Sequence, residues 1–399
     1  MKKVLFIPLH FFRSTHESFS RGEPETYAFQ RKIVAFPGSL VGTVGIAEVC
    51  VVSFTESDAY DMVLEPGLRT LGIPYLRDDG RRKSLDKVLA FIDAYKPTHA
   101  IIQCPESDLL RHCIRRRIRM ITAFADSFSG KSLIGRLRLR GFGELLNNTY
   151  IEMVSNHNLP ASRVLQGLGV HPDKIVPWDW PWDPAACDYS FKQGGRPAGP
   201  WKFFFAGRVT REKGVGDLID AVRLLRDKGC SLSVAFAGAG DIECFQQQVR
   251  RFQLTDAVQF LGTIGHDEVL RRMRDADAVV VPSRVTASEG IPCVIYESYL
   301  VRTPLVVSDH PMFRAVVRDR VNGMLFQAGN AASLAKKLAE LMKDAQVYST
   351  LSAQSDKALR ALIAPVTWFE LIRRWLSDDP ADKAWLQAHS LNTSRESRE

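Results

Sequence analysis

The sequence predicts an α/β protein of two domains, each a Rossmann-like fold built on a parallel β-sheet. The length of 399 residues is about that of two ordinary domains. Short apolar runs alternate with amphipathic helical patterns in both halves, most regularly after Pro200. Strands that alternate with helices are typical of βα units, whose parallel sheet is buried on both faces. We therefore expect two Rossmann-like domains that face one cleft.

The N-terminal half contains several apolar segments of strand length. The first, Val4 to Leu9, follows two lysines, as in a signal peptide, but Pro8 and His10 interrupt the apolar run. No small-residue cleavage site follows, so we interpret this segment as a buried strand. The further strands predicted in this half are residues 47–54, 99–104, 120–125, 150–155 and 174–178.

The C-terminal half shows the alternation more cleanly. After a short apolar run that ends at Gly207, apolar residues recur at helical spacing from Val215 to Leu225, and Gly229 is suited to end that helix. Five further strands follow, and the last of them precedes a helix from Ala331 to Met342. The strands predicted here are residues 202–207, 233–238, 258–262, 278–283, 305–308 and 322–326.

The domain boundaries are predicted from local changes in amino-acid composition. A stretch rich in Gly and Pro lies between the halves and is typical of a linker. After Pro365 an amphipathic segment carries Trp368, Phe369, Ile372 and Trp375 on one face, which predicts a closing helix packed on the N-terminal domain. We predict an N-terminal domain at 1–185, a linker at 186–200, a C-terminal domain at 201–364, the closing helix at 365–389 and a polar tail at 390–399.

The net charge is +8, and the excess is concentrated in two segments, Arg111–Arg119 and Lys131–Arg140. Such segments favour a polyanionic partner, either anionic lipid or nucleic acid; the alternative is a solvated helix face. We expect no nucleic-acid partner, because the chain lacks an RNP motif, a helix-turn-helix pattern and interleaved aromatic and basic residues. No stretch approaches the roughly 18 apolar residues of a membrane span.

The number and spacing of the cysteines and histidines indicate the redox environment of the protein and whether it can bind a metal ion. Seven cysteines occur without a CxxC pair, which favours a reducing, cytoplasmic environment. Nine histidines include no HExxH motif and no cluster with ligand spacing. We therefore expect no protein-bound catalytic metal and no cofactor.

The segment SEGIPCVIYES places two acids, Glu289 and Glu297, on either side of a turn that enters an apolar helix. It follows the strand AVVVPS, and ligands of open parallel sheets bind at the carboxyl ends of strands. Pro292 suits the first helical turn, which leaves backbone N–H groups free to bind an anion. A carboxylate beside an anion site is suited to accept hydroxyl hydrogen bonds. A nucleoside diphosphate sugar has this layout of anion and hydroxyls.

The C-terminal half resembles the retaining glycosyltransferases of GT-B fold, in particular glycosyltransferase family 4. The resemblance is carried by FAGRVTREKGVGDLIDAV, by PSRVTASEGIPCVIYES with its E-x7-E motif, and by NGMLFQAGNAASLAKKL. It covers most of residues 201–341. The resemblance implies that Arg208 and Lys213 bind the donor diphosphate and that Glu289 completes the catalytic set. It also implies a donor-binding set that holds the diphosphate, the sugar hydroxyls and the ribose hydroxyls: Gly207, Arg208, Lys213, Glu289, Gly290, Ile291, Pro292 and Glu297.

The N-terminal half departs from the family pattern. The Gly-Gly turn common after the first strand is absent, and Asp126 lies where many members carry a histidine. Trp178, Trp180 and Trp182 alternate with acids and prolines, either to stack on sugar rings or, as we favour, to pack a joint between domains. The residues predicted to bind the acceptor are His10, Arg13, His16, Asp126 and Trp180.

The resemblance and the basic segments together predict a cytoplasmic glycosyltransferase, peripheral at the inner face of the cell membrane, and the resemblance implies that it transfers a hexose with retention. A lipid-linked or saccharide acceptor in polysaccharide or glycolipid biosynthesis fits the basic segments. A nucleotide-sugar epimerase or hydrolase of the same fold remains an alternative, and so, more remotely, does a basic nucleic-acid-binding protein.

Overall fold

The chain folds into two compact units. The computed structural model describes residues 1–8, 12–53, 59–74, 80–128, 133–186, 189–193 and 199–393. The first unit consists of Met1–Pro24, Phe29–Pro181 and Ala364–Glu399, and the second of Glu25–Ala28 and Trp182–Ile363.

The first unit is built on a 7-stranded sheet with the strand order β3-β4-β2-β1-β5-β6-β7. All neighbouring strands are parallel except β3 and β4, which pair antiparallel at one edge. The central strands β1, β2, β5 and β6 are almost fully buried, as expected for a parallel sheet covered on both faces. The strands are β1 Lys2–Ile7, β2 Ile46–Ser53, β3 Tyr60–Glu65, β4 Leu68–Gly72, β5 His99–Ile102, β6 Arg119–Phe124 and β7 Ile151–Asn156.

Helices connect these strands, and a C-terminal pair returns to the same unit. Thr367 and Glu370 form a capping box that starts the first helix of that pair. Its apolar face buries Trp368, Ile372 and Trp375. The helices of the first unit are α1 Phe12–Ser20, α2 Gln30–Leu40, α3 Gly80–Tyr95, α4 Ser107–Arg115, α5 Leu133–Leu146, α6 Asn158–Gly167, and, after the second unit, α15 Trp368–Ser377 and α16 Pro380–Ala388.

The structure differs from the predicted strands of this unit in two places. The antiparallel hairpin β3–β4 was not predicted, because β3 is a largely exposed edge strand without an apolar run. The predicted strand at 174–178 is wrong: Ile175 and Trp178 form only isolated bridges, to Val154 and His157. Its apolar residues reflect burial rather than strand pairing, since Ile175 and Val176 are both fully buried.

The second unit is built on a 6-stranded parallel sheet with the order β10-β9-β8-β11-β12-β13. Its six strands coincide with the six apolar runs predicted after Pro200. The strands are β8 Trp201–Ala206, β9 Leu232–Ala237, β10 Val258–Gly262, β11 Ala278–Val281, β12 Leu305–Ser308 and β13 Met324–Phe326. The helices are α7 Val215–Arg226, α8 Ile242–Arg251, α9 His266–Asp275, α10 Cys293–Leu300, α11 Pro311–Arg314, α12 Ala331–Lys343, α13 Ala345–Ala353 and α14 Ser355–Leu362.

Pro292, expected in the first helical turn, directly precedes helix α10. Pro292 has an extended conformation (φ −69°, ψ 144°) and is the N-cap, so the first helical residue is Cys293. Within the described residues, no helix is both long and apolar enough to cross a membrane.

Candidate functional site

A cavity of about 360 Å³ lies in the second unit at the carboxyl ends of β8, β9 and β10. This is the edge at which open parallel sheets bind their ligands. The first residues of α9 and α10 also line it, so two helix N-termini contribute to the site. The residues that carry its chemistry are Tyr27, Gly207, Arg208, His266, Cys293 and Glu297.

Glycines allow the carboxyl ends of β8 and β9 to approach each other closely. Gly238 has φ +138°, and a Cβ built on it would lie 1.9 Å from the carbonyl oxygen of Gly207. Any larger residue there would have to push the two strand ends apart. Gly207 itself has φ +145° and is followed by Arg208, which is exposed and lines the cavity.

Lys213 and Glu289 come together although they lie 76 residues apart in the sequence. The Lys213 Nζ donates to Glu289 Oε1 at 2.5 Å, and Ser283 Oγ donates to the same oxygen at 2.7 Å. Glu289 is only 5% exposed, so the two donors compensate a nearly buried carboxylate. Gly214 makes the approach possible: its φ is +73°, and a Cβ would lie 1.9 Å from the carbonyl oxygen of Pro282.

Hydrogen bonds from neighbouring elements hold the loop that carries Glu289. The guanidinium of Arg284 donates two hydrogen bonds to Asp217 in α7, at 2.8 and 2.6 Å. Ser308 Oγ donates to the carbonyl of Ser283 at 2.6 Å. His310 accepts from a backbone N–H through Nδ1, so its Nε2–H donates to the carbonyl of Ala287 at 3.2 Å. Burial lowers the pKa of His310, which favours this neutral form.

Glu297 lies in the second turn of α10 and is 3% exposed. Its Oε1 accepts a hydrogen bond of 2.8 Å from Nε2 of His266, the first residue of α9. Burial alone would lower the pKa of His266, but the bond to Glu297 and the nearby carboxylates outweigh it, and the pKa is raised. The hydrogen bond to Glu297 therefore favours the protonated form of His266.

A tetrapeptide from the start of the chain completes the cavity wall. Glu25–Ala28 belongs to the second unit, and its Thr26 and Tyr27 line the cavity. The backbone N–H of His266 donates to the carbonyl of Glu25 at 2.7 Å. Sequence patterns gave no signal for this contact, because the segment lies far from the motifs it joins. His266 could have been found as the first helical residue after a strand.

The structure places the predicted donor-binding residues in two groups. Gly207, Arg208 and Glu297 line the cavity, and Lys213 pairs with Glu289, 76 residues further along the chain. Gly290, Ile291 and Pro292 link Glu289 to α10; of these, Ile291 is buried. Their roles in donor binding stay predictions.

Most of the predicted acceptor residues engage in local contacts of the first unit. Arg13 pairs with Glu17 at 2.6 Å, and its guanidinium also lies over the ring of Tyr60. His16 lies near the ring of Phe12, both on α1 after β1. The carboxylate of Asp126, after β6, accepts from the N–H of Phe128.

Trp180 belongs to an aromatic cluster rather than standing alone. Its ring lies 5.0 Å from that of Trp178 and 5.8 Å from that of Trp368. This environment favours burial over sugar stacking. His10 lies outside the described residues, and its role in acceptor binding stays a prediction.

The two basic segments differ in how far their charge is neutralised. In Arg111–Arg119, Arg116 forms a bidentate ion pair with Asp93, and Arg119 forms ion pairs with Glu152 and Asp378. In α5, by contrast, Arg136, Arg138 and Arg140 are all exposed, and among the described residues only Arg140 has a carboxylate within ion-pair distance, Glu144 at 3.9 Å. Three apolar side chains beside them are more than 60% exposed: Leu133, Ile134 and Leu137.

The described residues contain no group of three or more His, Cys, Asp or Glu side chains arranged to hold a metal ion. Independence from metal stays a prediction.

Residues 188–358 match the family model of glycosyl transferases group 1. AmsK of Erwinia amylovora, an amylovoran biosynthesis glycosyltransferase, is 31% identical over 163 residues, which are 40% of this chain and 40% of AmsK. WcaL of Escherichia coli, a putative colanic acid biosynthesis glycosyltransferase, is 31% identical over 147 residues, 36% of each chain. The matches thus span about two fifths of the length of these relatives.

Solved structures match over almost the whole chain. HepE from Anabaena, solved in complex with UDP, aligns with a TM-score of 0.63 at 17% identity, covering 95% of this chain and 100% of that one. A sucrose-phosphate synthase from Thermosynechococcus elongatus aligns with a TM-score of 0.67 at 16% identity and the same coverage. The fold is that of the GT-B glycosyltransferases, as predicted, and together the comparisons support a GT-B glycosyltransferase.

Proposed function

We propose that the protein is a retaining glycosyltransferase that uses a nucleoside diphosphate sugar as donor. One observation carries the proposal: a cation and a buried carboxylate, Arg208 and Glu297, line one cavity at the carboxyl edge of the second sheet. No carboxylate among the described residues lies within ion-pair distance of Arg208, so its charge is available to a ligand anion. Glu297 is placed to accept hydroxyl hydrogen bonds.

Each part of the donor has a counterpart in this arrangement. Arg208 and Lys213 supply positive charge for the diphosphate, which gains negative charge as the sugar leaves. Fixed cations aimed at developing charge lower the barrier, each by roughly 3–4 kcal/mol in favourable cases. Glu289, held by Lys213 and Ser283, offers its second oxygen to sugar hydroxyls. Glu297 receives the ribose hydroxyls.

The direct test is a screen of UDP-, GDP- and ADP-sugars for donor turnover by the purified protein. We expect one donor class to release nucleoside diphosphate, and its sugar product to keep the anomeric configuration in NMR spectra. Arg208→Ala serves as the inactive control. Failure of every donor to bind or turn over would contradict the proposal. Release of a free sugar of changed ring configuration would instead indicate an epimerase.

For the acceptor we propose a lipid-linked saccharide at an anionic membrane surface, in line with the polysaccharide-biosynthesis names of AmsK and WcaL. The contact surface is α5, where exposed arginines and exposed apolar side chains occur together. Each basic side chain near an anionic bilayer contributes about 1 kcal/mol, which salt weakens. The paired arginines of Arg111–Arg119 contribute less, because their charge is already compensated.

Liposome sedimentation tests this part separately. We expect binding to anionic vesicles at low salt, little binding to neutral vesicles, and release at high salt. Replacing Arg136, Arg138 and Arg140 by glutamate should abolish binding but spare donor hydrolysis. A charge-matched control replaces three exposed cations of the second unit instead: Lys228, Arg250 and Arg251. If that control loses binding equally, only net charge matters and α5 is not the contact surface.

A further inference from the structure

Glu297 is only 3% exposed. Burying a carboxylate to that extent costs free energy unless a hydrogen-bond donor compensates for the lost water. Among the residues that the structure describes, the one side chain within hydrogen-bond distance of it is His266. A carboxylate only accepts, so Nε2 of His266 carries the proton of this bond. One oxygen of Glu297, Oε1, is thereby fixed, and Oε2 remains for a ligand.

His266 is itself held in place from a second direction. As the first residue of α9, it donates its backbone N–H to the carbonyl of Glu25 at 2.7 Å. Its side chain is 14% exposed, so surrounding atoms limit the ring to few orientations. His266 thus joins the tetrapeptide Glu25–Ala28 to the carboxylate on α10.

We propose that His266 is a positioning residue, whose Nε2–H holds Oε1 of Glu297 so that Oε2 accepts hydrogen bonds from the ribose hydroxyls of the donor nucleotide. The inference rests on the proposed function. It goes beyond that function by assigning the orientation of the ribose ligand to a side chain outside the E-x7-E motif. Without His266, Glu297 can turn toward water or other donors, and a carboxylate with a variable orientation discriminates poorly.

The signature of this role is selectivity for the ribose 2′-hydroxyl. A site built to hydrogen-bond a hydroxyl rejects a ligand that lacks it, because its buried acceptor is left unpaired. A charge-assisted hydrogen bond corresponds to a preference of about tenfold to a hundredfold for the ribonucleotide. General destabilisation of the fold would weaken both nucleotides alike and leave their ratio unchanged.

The experiment measures Kd by calorimetry for UDP and 2′-deoxy-UDP, and for the GDP and ADP pairs, with the full-length protein. The parent should prefer the ribonucleotide of its own base by about tenfold or more. In His266→Ala the preference should fall to near onefold. His266→Gln, whose Nε2 can occupy a similar place, should retain much of it.

The matched variants separate the explanations. Glu297→Gln should lose the preference, and His266→Ala should add little to it, because both act on one contact. Lys213→Ala should weaken UDP and 2′-deoxy-UDP equally. His171→Ala, an exposed histidine of the first unit, should change neither affinity. Thermal melting confirms that each variant is folded.

A His266→Ala protein that keeps the full ribonucleotide preference overturns the inference while leaving the proposed function intact. Equal loss of preference in His266→Ala and His266→Gln also overturns it, because the Nε2–H donor is then not what matters. If the parent binds none of the six nucleotides, the proposed function fails, and this inference fails with it.

Discussion

Each unit holds a largely enclosed histidine among charged groups, and the two histidines are shifted in opposite directions. In the second unit, His266 bonds to Glu297 and its pKa is raised. In the first unit, His99 lies at the amino end of the sheet; burial, Arg119 and Lys2 lower its pKa to about 4. Burial disfavours the charged form in both places; at His99 it is the largest cause and prevails, whereas at His266 the hydrogen bond to Glu297 and the nearby carboxylates outweigh it.

The two regions also differ in how completely charges are paired. At the amino end of the first sheet, Arg119 contacts two carboxylates, Glu152 and Asp378, and Lys2 contacts Asp378 as well. At the carboxyl edge of the second sheet, Arg208 has no carboxylate partner among the described residues. A closed set of pairs serves to hold elements together, whereas an open cation serves a ligand.

The largest effect should come from removing the two cations predicted to bind the donor diphosphate, Arg208 without a carboxylate partner among the described residues and Lys213 paired with Glu289. Arg208→Ala and Lys213→Ala should each lower turnover by about a hundredfold or more, because each removes charge that stabilises the departing diphosphate. Steady-state kinetics on folded protein measures this. Arg119→Ala is the matched control: it should lower the melting temperature but leave turnover close to the parent's. Near-parental turnover in Arg208→Ala would contradict the comparison.

The next effect concerns stability rather than turnover. His99 stays neutral in the fold down to about pH 4 but protonates near pH 6.5 when unfolded, so its stabilising effect is complete above pH 6.5 and is lost as pH falls toward 4. Between pH 7 and pH 5 the loss is about 2 kcal/mol of unfolding free energy.

Denaturant unfolding at several pH values measures the loss. In His99→Phe the decline between pH 7 and pH 5 should be smaller than in the parent by that amount. Parallel curves for parent and variant would show that His99 does not titrate as its surroundings predict.

A smaller effect should follow from weakening the support of Glu289. Ser283→Ala removes a donor to a nearly buried carboxylate, at a cost of about 1 kcal/mol, which is about fivefold in turnover. In a Glu289→Gln background the same change should add little, because both act on one contact. Fully additive losses would place Ser283 in a role independent of Glu289.

Chelation of divalent metal ions is expected to leave turnover unchanged. Turnover should persist in EDTA, since Arg208 and Lys213 supply the positive charge that the diphosphate needs. The measurement is the initial rate before and after chelation, with Mg²⁺ or Mn²⁺ added back. Complete loss that is reversed by metal would show that a divalent ion carries the diphosphate.

The sequence predicted two Rossmann-like domains because their buried parallel strands are continuous apolar runs between helical patterns, and the resemblance of residues 201–341 to a known family implied the GT-B fold. It could not predict β3, whose residues are mostly exposed and alternate only weakly. The strand predicted at Ile175 and Val176 was wrong, because a short apolar run looks the same in the sequence whether its residues are buried in a sheet or against other elements.

Only those residues of the site that belong to a continuous sequence motif could be predicted. Glu289 and Glu297 lie in one motif after one strand, and Arg208 follows another strand. The contact of Lys213 with Glu289 and that of His266 with Glu297 depend on how separate loops meet at the sheet edge. Such meetings leave no periodicity or spacing in the sequence.

The tetrapeptide Glu25–Ala28 means that two distant stretches of the gene encode one cavity. Residues 188–358, which match glycosyl transferases group 1, include Arg208, His266 and Glu297 but not Tyr27. Substitutions at Thr26 or Tyr27 can therefore reshape the cavity while every motif of the matched segment stays intact. Two homologues with the same motifs could thus differ in donor preference, and an alignment confined to the matched segment would not show why.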